Sequence, residues 1–567
     1  MQPTCLNVFN RLIFISKFFL IALLQTMICV CLTARADSLT GVVSTSHPLA
    51  TEAGLSILRS GGNAIDAAAA VQFALNVVEP QSSGIGGGAF ILVYLAKTHQ
   101  VYAIDARESA PQMATPDQFM GHSFAQNSTS GVSVGVPGTL AGFNAIVTQW
   151  GRLSLGQVLQ PAIHLAREGF VVTPYLAGAL NDARANLSKE AKKRFFNQDG
   201  TPLHVGQQLV QPELAHTFEE IAKEGVDPFY KGEIARAIVS TQRHSSMGPA
   251  GWGRMTLNDL NHYHVYFRKV LTFNYRDYHI VGMPPPSSGA STLFETLGLL
   301  ESYSSQNNWR DSLYRDHLSI QALSLAFQDR ADYFGDPQQM LIDPTQVLSS
   351  SFLTRRSRLL VEGKLPVHNV LPPTPSGTNT THFSIVDKEG NVVSCTSTIE
   401  QLWGSGLWVP EYGFFLNNEL TDFDANPTLP NGKPSPNQVK AGLRPRSSMS
   451  PIMVFHKGHW LLAYGSPGGP TIISTLVQVT QGLLDLHDVP QQVIDTPRYA
   501  VMNGSGLTFI EKNFPEKLKT NLEQLGHQFT FNPEAQGSVQ AVGLDEEHKS
   551  YWGAADPRRD GAVGYQK

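Results

Sequence analysis

The sequence predicts an α+β fold, because helical and strand-like patterns occupy largely separate stretches of its 567 residues. Apolar residues recur at helical spacing near the N-terminus, whereas the region after residue 380 alternates with the two-residue period of strands. A hydrophobic content of 42% is enough for a sizeable core. Motifs spread along the whole length favour one large interleaved unit over several separate domains.

The first third is predicted to contain two helices followed by a strand. Helical patterns cover 51–60 and 64–77, and Gly61-Gly62 closes the first of them. A glycine run at 84–88 precedes the strand-like segment 89–94. A phosphate-binding loop needs the opposite order, strand then glycines then helix, so that interpretation is rejected.

Helices dominate the predicted middle of the chain, from 150 to 345, with strands at 265–271 and 278–282. His262 and His264 have the look of a metal-ligand pair, but no third ligand is spaced for them. We therefore interpret them as polar residues of a strand.

The region after 380 is predicted to form hairpins, a helix over 471–486 and further strands.

Thr380 heads a strand-like run at 380–387. The segment 391–398 alternates in the same way across a short polar turn, which predicts a hairpin. If the chain cut itself between Asn379 and Thr380, the new α-amine would act as the base for the Thr380 hydroxyl. A plain structural strand is the alternative.

A second motif, Gly465-Ser466-Pro467-Gly468-Gly469-Pro470, joins a strand-like run to a helical pattern. Proline suits the first position of a helix, so the N–H groups of Gly468 and Gly469 are expected to point out of the helix N-terminus. Unpaired donors at that place stabilise a developing oxyanion. An ordinary glycine-rich turn is the alternative.

Two further segments are suited to ligand groups of opposite charge. The segment 444–451 combines two arginines with Ser447 and Ser448, a set suited to a carboxylate. The segment 417–423 contains Glu419 and Asp422, which are suited to an ammonium group. Solvated polar loops are the alternative for both. One cluster for each charge predicts a site for an α-amino acid.

Taken in order, these motifs resemble the γ-glutamyltranspeptidase family. The resemblance after residue 380 is carried by Thr380-Thr381-His382-Phe383-Ser384, Asn417-Asn418-Glu419, Ser447-Ser448-Met449-Ser450-Pro451 and Gly465-Ser466-Pro467-Gly468-Gly469. Similar runs elsewhere lie at 47–50, 61–68, 79–80, 82–88, 135–139, 166–170, 285–289, 329–333 and 556–561. The resemblance therefore extends from about residue 40 to the C-terminus.

The resemblance implies a four-layer αββα sandwich of the N-terminal-nucleophile hydrolase type. It implies a precursor that cuts itself into a large subunit, 37–379, and a small subunit, 380–567, which stay together as a heterodimer. By the same resemblance Thr380 is the nucleophile, Thr398 supports it, and Gly468 with Gly469 forms the oxyanion hole. Arg107, Ser447 and Ser448 are implied to bind the substrate α-carboxylate, and Glu419 with Asp422 the α-amino group.

Two positions depart from the family pattern. Glu400 stands where well-studied members have an asparagine that contacts the donor, and a similar run occurs in cephalosporin acylase-like relatives. As a predicted substrate-binding residue, Glu400 either strengthens ammonium binding beside Glu419 and Asp422 or, because like charges raise one another's pKa, weakens it. The choice of acyl donor is therefore open. The segment from 422 to 444 has four prolines and, apart from Phe423, no aromatic residue where several relatives place a tyrosine-bearing lid, so we expect a more open pocket.

The implied reaction is cleavage of the γ-glutamyl bond of glutathione and related compounds, with transfer to water, an amino acid or a peptide. No metal or cofactor is expected. A glutaryl or cephalosporin acylase activity on the same fold is one alternative, and Glu400 is the reason for it. An exported binding protein that never cuts itself is the other.

The N-terminus and the charge bear on location and partners. Residues 1–36 combine basic residues, an apolar run and Ala34-Arg35-Ala36, which predicts a cleaved signal peptide and a periplasmic or secreted protein. An uncleaved membrane anchor is the alternative, although the run is short for a span. A net charge of −5 without a basic run makes nucleic-acid binding improbable. Cys395, the one cysteine beyond the leader, is predicted to be a buried apolar residue.

Overall fold

A computed structural model describes residues 39–183, 187–243, 248–365, 379–502, 506–532 and 536–567. The predicted signal peptide and the proline-rich loop at 372–375 lie outside these residues. Within the described ranges, no helix has both the length and the apolar character needed to cross a bilayer.

Two large sheets form the centre of the molecule. The first has seven strands, in the spatial order Ala562–Tyr565, Val42–Thr45, Thr381–Val386, Val392–Thr398, Gly88–Leu95, Gln100–Ala106 and Tyr266–Arg268. The second has six, in the order Ser550–Ala555, Gln540–Asp545, His459–Gly465, Ile452–His456, Tyr278–Gly282 and Leu271–Tyr275. Both sheets combine strands that precede residue 380 with strands that follow it.

The two sheets pack face to face, and helices cover both outer faces. The helices on the side of the first sheet are Pro48–Arg59, Ala64–Val78, Thr139–Trp150, Leu155–Glu168 and Pro212–Glu224. Those on the side of the second sheet are Gly289–Ser304, Ser312–Tyr333 and Thr471–Thr480. This arrangement confirms the predicted α+β fold with four αββα layers.

Shorter elements complete the described chain. The short α-helices are Phe124–Ser128, Pro174–Asp182, Lys189–Phe195, Asp227–Tyr230, Glu233–Thr241, Leu257–Asn261, Ser350–Ser357, Pro490–Asp495 and Glu516–Gln524. The 3-10 turns are Gly131–Ser133, Gly248–Gly251, Asn307–Arg310, Pro344–Gln346 and Glu419–Asp422. Two small sheets pair Trp408–Val409 with Phe414–Phe415 and Phe170–Val171 with Gln208–Leu209. In a third, Leu507–Ile510 lies between Tyr499–Val501 and Gln528–Phe531.

Both helices predicted in the first third are confirmed. The helix Pro48–Arg59 has proline in its first turn, and the His47 side chain accepts from the Leu49 N–H at 3.2 Å. A capping box starts the helix Ala64–Val78: the Asn63 side chain accepts from the helix while the Asp66 side chain accepts from the Asn63 N–H. The strand predicted at 89–94 is also confirmed, as Gly88–Leu95.

Two other predictions are wrong, and a third is confirmed with a change of helix type. The segment 265–271 is not one strand, because Tyr266–Arg268 belongs to the first sheet and Leu271–Tyr275 to the second. His262 and His264 lie in the turn before Tyr266–Arg268, not in a strand, and both are exposed or partly exposed. The helix predicted over 471–486 is α-helical to Thr480 and continues as the π-helical turn Gln481–Asp485.

The predicted hairpin is confirmed, and it lies in the middle of the first sheet. Thr381–Val386 pairs with Val392–Thr398 in antiparallel register, with Phe383 opposite Cys395. Phe383 and Cys395 belong to the core beneath the helices, and burial raises the pKa of the Cys395 thiol. On the opposite face, the His382 ring contacts Thr396 Oγ1 at 2.9 Å between the two sheets.

Candidate active site

Thr380 and Thr398 meet at the open end of the hairpin. Thr381 pairs with Ser397, so the next residues outward face each other. The Thr380 hydroxyl donates to Thr398 Oγ1 at 3.3 Å, and the Thr398 hydroxyl donates to the carbonyl oxygen of Asn379 at 3.0 Å. The Glu400 N–H donates to Thr398 Oγ1 at 2.8 Å. A chain of hydroxyl groups is therefore directed at the carbonyl of the residue before Thr380.

The peptide between Asn379 and Thr380 is held from both sides. The Arg559 guanidinium donates to the Thr380 carbonyl at 2.5 Å, and the Tyr175 hydroxyl donates to Asn379 Oδ1 at 3.0 Å. Arg559 also lies 4.9 Å from the centre of the Tyr175 ring, within cation–π distance. Glu79 supports the first strand from behind by accepting from the Thr381 hydroxyl at 2.8 Å.

Glu79, Tyr175 and Arg559 are not among the predicted site residues. Glu79 and Arg559 lie in runs that carry the family resemblance, which was the available signal. Tyr175 lies at the start of the helix Pro174–Asp182, in no motif, and only the fold brings it to Asn379.

The Gly468-Gly469 turn precedes the helix Thr471–Thr480. Both glycines have positive φ, 128° and 55°, and a β-carbon on Gly468 would lie 2.5 Å from Thr471 Oγ1. Their carbonyls accept the N–H groups of Thr471 and Ile472 at 3.1 Å each. Among the described residues, no protein acceptor takes the N–H of either glycine. These two donors are therefore available to an oxyanion at the helix N-terminus.

Arg107 lies at the centre of a buried acidic cluster. Its Nη2 is 2.5 Å from Asp422 Oδ2, and its Nη1 donates to Glu419. Glu108 is the third carboxylate, 3.9 Å from the same guanidinium. The side chains of Arg107 and Glu108 are fully buried, whereas that of Asp422 is 27% exposed. The predicted carboxylate-binding and ammonium-binding groups therefore contact each other in this structure.

Burial sets the protonation of this cluster. Desolvation raises the pKa of Glu419 to about 7, an effect that Arg107 partly offsets. Desolvation and the neighbouring Glu419 raise the pKa of Glu108 well above its usual range. Burial thus favours the protonated forms of Glu108 and Glu419, and Asp422, the exposed member, is the carboxylate that a cationic ligand group can reach.

The serine pair lies next to this cluster, but the two arginines of its segment do not act together. Arg444 forms a buried ion pair with Asp105 at 2.5 Å. Arg446 pairs with Asp424 at 3.1 Å. The prediction that both guanidiniums join Ser447 and Ser448 in binding a carboxylate is thus wrong for Arg444, which instead ties its loop to Asp105 in the strand Gln100–Ala106.

One pocket of about 420 Å³ brings the predicted residues together. Of the predicted site residues, those that line it are Thr380, Thr398, Arg107, Glu400, Glu419, Asp422, Ser447, Ser448 and Gly469. Asn379 and Gly468 lie beside it. Its other side is formed by Phe423, Arg330 and the loop at 424–430. The Thr380 side chain thus shares one pocket with acidic, basic and hydroxyl side chains, a lining suited to a small charged substrate.

Comparison with known proteins gives a consistent picture. Residues 50–565 match a family model described as gamma-glutamyltranspeptidase. The chain is 38% identical over 546 residues to a glutathione hydrolase proenzyme of Bacillus subtilis strain 168, covering 92% of this chain and 91% of that protein. It is 36% identical over 544 residues to the Escherichia coli K12 glutathione hydrolase proenzyme, covering 93% and 92%.

Among solved structures, a cephalosporin acylase from Bacillus halodurans superposes with a TM-score of 0.82 and 29% identity, covering 93% of this chain and 96% of that one. The likeness therefore extends to two kinds of enzyme on one fold.

Proposed function

The chain belongs to the γ-glutamyltranspeptidase family, and on that premise we propose that it hydrolyses and transfers γ-glutamyl groups with Thr380 as the nucleophile. One observation carries the proposal: the Thr380 hydroxyl shares a pocket with the Arg107 cluster, the serine pair and the Gly469 amide. That set offers a nucleophile, partners for both ends of an α-amino acid and an oxyanion donor.

The first reaction is self-cleavage. The Thr380 hydroxyl attacks the carbonyl carbon of Asn379, the C–N bond breaks as the ester forms, and the threonine amine takes the proton. Water then hydrolyses the ester and releases 37–379 from 380–567. The Thr398 hydroxyl supports this step, because it already donates to the carbonyl oxygen on which charge develops.

In the cut enzyme the free α-amine of Thr380 removes the proton from its own hydroxyl. The hydroxyl attacks the γ-carbonyl of the donor, and the Gly468 and Gly469 N–H groups stabilise the oxyanion. The leaving amine takes the proton, and a γ-glutamyl ester on Thr380 remains. Water then gives glutamate, or the amine of an amino acid or peptide gives a new γ-glutamyl compound.

Glutathione is the donor we propose, in line with the glutathione hydrolase relatives. Asp422 and Glu419 would bind its α-ammonium group, and Ser447 with Ser448 and Arg107 its α-carboxylate. The two subunits stay together as a heterodimer, since both sheets contain strands of each. The leader at 1–36 supports action in the periplasm or outside the cell.

The decisive experiment combines intact mass with N-terminal sequencing of the denatured protein. We expect two chains, one beginning Thr380-Thr381-His382, and a single uncut, inactive chain for Thr380→Ala. Thr380→Ser is the matched control, because it keeps a hydroxyl and should still be cut. Two chains in the alanine variant would refute the nucleophile, and one chain in the wild-type protein would favour the binding-protein alternative.

A glutaryl or cephalosporin acylase is the second candidate, favoured by Glu400 in the pocket and by the Bacillus halodurans structure. The acidic pair argues against it, because a glutaryl group has no ammonium for Glu419 and Asp422 to bind. Rates on γ-glutamyl and glutaryl anilides separate the two. A preference for the glutaryl compound would reverse our choice of donor.

A further inference from the structure

Arg330 contacts the pocket without a part in the reaction described above. It lies near the end of the helix Ser312–Tyr333, lines the pocket beside Ser448 and is only 6% exposed. Its Nε donates to Ser288 Oγ at 2.7 Å, and its Nη2 donates to Ser448 Oγ at 3.0 Å. One planar guanidinium therefore connects two serines from different loops.

Ser288 in turn is hydrogen-bonded to Ser447, the other serine of the pair. Its N–H and its hydroxyl both donate to the Ser447 carbonyl at 2.8 Å. The Ser447 N–H in turn donates to the Pro286 carbonyl at 2.9 Å. Arg330 thus fixes Ser448 through its side chain and Ser447 through the backbone.

The contact also decides which way the Ser448 hydroxyl points. A serine hydroxyl has one hydrogen and two acceptor positions. Because the Arg330 guanidinium occupies an acceptor position of Ser448 Oγ, the hydroxyl hydrogen turns away from it and is available to a ligand. The Met449 N–H acts on Ser447 Oγ in the same way at 3.1 Å. Both serines are thereby prepared as donors to an anion.

The charge of Arg330 adds to this preparation. Arg107 already donates to Glu419, Asp422 and the carbonyls of Pro445 and Arg446, so its charge is largely offset. Burial and the neighbouring Arg446 lower the pKa of Arg330 to about 9, which leaves it cationic at neutral pH. A second buried cation at the serine pair favours a carboxylate there.

We propose that Arg330 is a positioning residue that orients the Ser447–Ser448 donors and thereby makes the enzyme select donors with a free α-carboxylate. This inference rests on the proposed function and adds a specificity determinant to it. Arg330 acts through Ser448, so its effect should depend on that hydroxyl.

The test compares γ-glutamyl anilide with the same compound carrying an α-carboxamide. For Arg330→Gln we expect the preference for the carboxylate donor, as a ratio of kcat/KM values, to fall about tenfold to a hundredfold, the usual worth of a hydrogen bond to a charged group. Most of the fall in kcat/KM should appear as a higher KM, because the serine pair binds the α-carboxylate equally in the ground state and in the transition state. Arg355→Gln is the control: it removes a guanidinium from the exposed face of the helix Ser350–Ser357, outside the pocket, so it should keep the ratio.

A double-mutant cycle tests the route of the effect. In a Ser448→Ala background, Arg330→Gln should change the ratio little further, and additive losses would overturn the proposal. Equal losses on both donors, or no loss, would also overturn it.

Arg330→Lys is the second variant, for the case that Arg330→Gln does not mature. It keeps the positive charge but not the planar guanidinium that bonds both serines. A fall in the same ratio supports the proposal, and an unchanged ratio refutes it. Failure of the proposed function would appear separately, as wild-type protein inactive on γ-glutamyl anilide.

Discussion

Thr398 Oγ1 occupies a position between two reactive groups. It accepts from the Thr380 hydroxyl and donates to the Asn379 carbonyl oxygen, while the Glu400 N–H fixes it from a third side. A hydroxyl with both acceptor positions filled has one orientation left for its hydrogen, and here that orientation is toward the carbonyl. The proposed self-cleavage then begins from a carbonyl that is already hydrogen-bonded.

We expect Thr398→Ala to slow self-cleavage about a hundredfold or more, since loss of one donor to an oxyanion costs about 10²–10³ in rate. The fraction of cut chain against time, followed on denaturing gels, measures it. Thr398→Ser keeps the hydroxyl and should be cut at close to the normal rate. Equal rates for the alanine and serine variants would show that the hydroxyl is not used.

At the scale of elements, the proposed oxyanion donors lie at the N-terminus of the helix Thr471–Thr480, and Gly469 lines the same pocket as Thr380. The preceding strand, His459–Gly465, lies in the second sheet, and Thr380 is attached to the first. A β-carbon on Gly465 would lie 2.3 Å from the His382 ring, so glycine permits the sheets to approach closely here. This close approach places the Gly468-Gly469 turn beside Thr380.

Gly468→Ala should lower kcat about 10²–10³-fold while the protein still folds. A side chain at φ 128° is strained and would meet Thr471 Oγ1, so the turn must shift its N–H groups. Gly458→Ala is the matched control, because Gly458 has φ 83° in a hairpin turn with nothing within 4 Å. It should cost about 1–2 kcal/mol of stability and little activity. Similar kcat values for both variants would argue against an oxyanion role.

Across the whole molecule, burial keeps several histidines neutral. Desolvation lowers the pKa of His382 to about 3, and it lowers those of His47 to about 4 and His527 to about 3. Unfolding releases these rings to their usual value of about 6.5, so the unfolded chain binds more protons below that pH. Each ring therefore removes stability as the pH falls from about 6.5 toward 4. Buried carboxyls such as Glu419, with raised pKa, act in the opposite direction.

The effect of one ring is measured as a difference between two proteins. When the pH is lowered from 7 to 5, the free energy of unfolding should fall by about 2 kcal/mol less in the His382→Asn variant than in the same protein with His382. This follows because the buried ring costs about 1.4 kcal/mol for each pH unit below 6.5. Urea unfolding of the uncut Thr380→Ala chain, with and without the second substitution, gives this difference. Parallel pH curves would mean that His382 titrates normally in the folded chain.

Local patterns predicted those parts of the site that consist of consecutive residues. The hairpin, its threonines and the Gly468-Gly469 turn follow from alternation and turn chemistry, and the structure has them as expected. Arg444 could not be assigned from its neighbours, because its partner Asp105 is far away in the chain. Arg559 and Tyr175 were missed for the same reason: their contact with Asn379 and Thr380 exists only after the sheets assemble.

The strand order of the first sheet also determines when during synthesis the site can be completed. Val42–Thr45 lies between Thr381–Val386 and Ala562–Tyr565, so an early strand pairs with two strands that are synthesised much later. Arg559, which holds the Thr380 carbonyl, comes from the same late segment. Cleavage before Thr380 would then be delayed until translation has passed this arginine. A cut chain would then have been synthesised past Arg559, whereas a chain that stops before Arg559 would keep the Thr380 amine in its peptide bond.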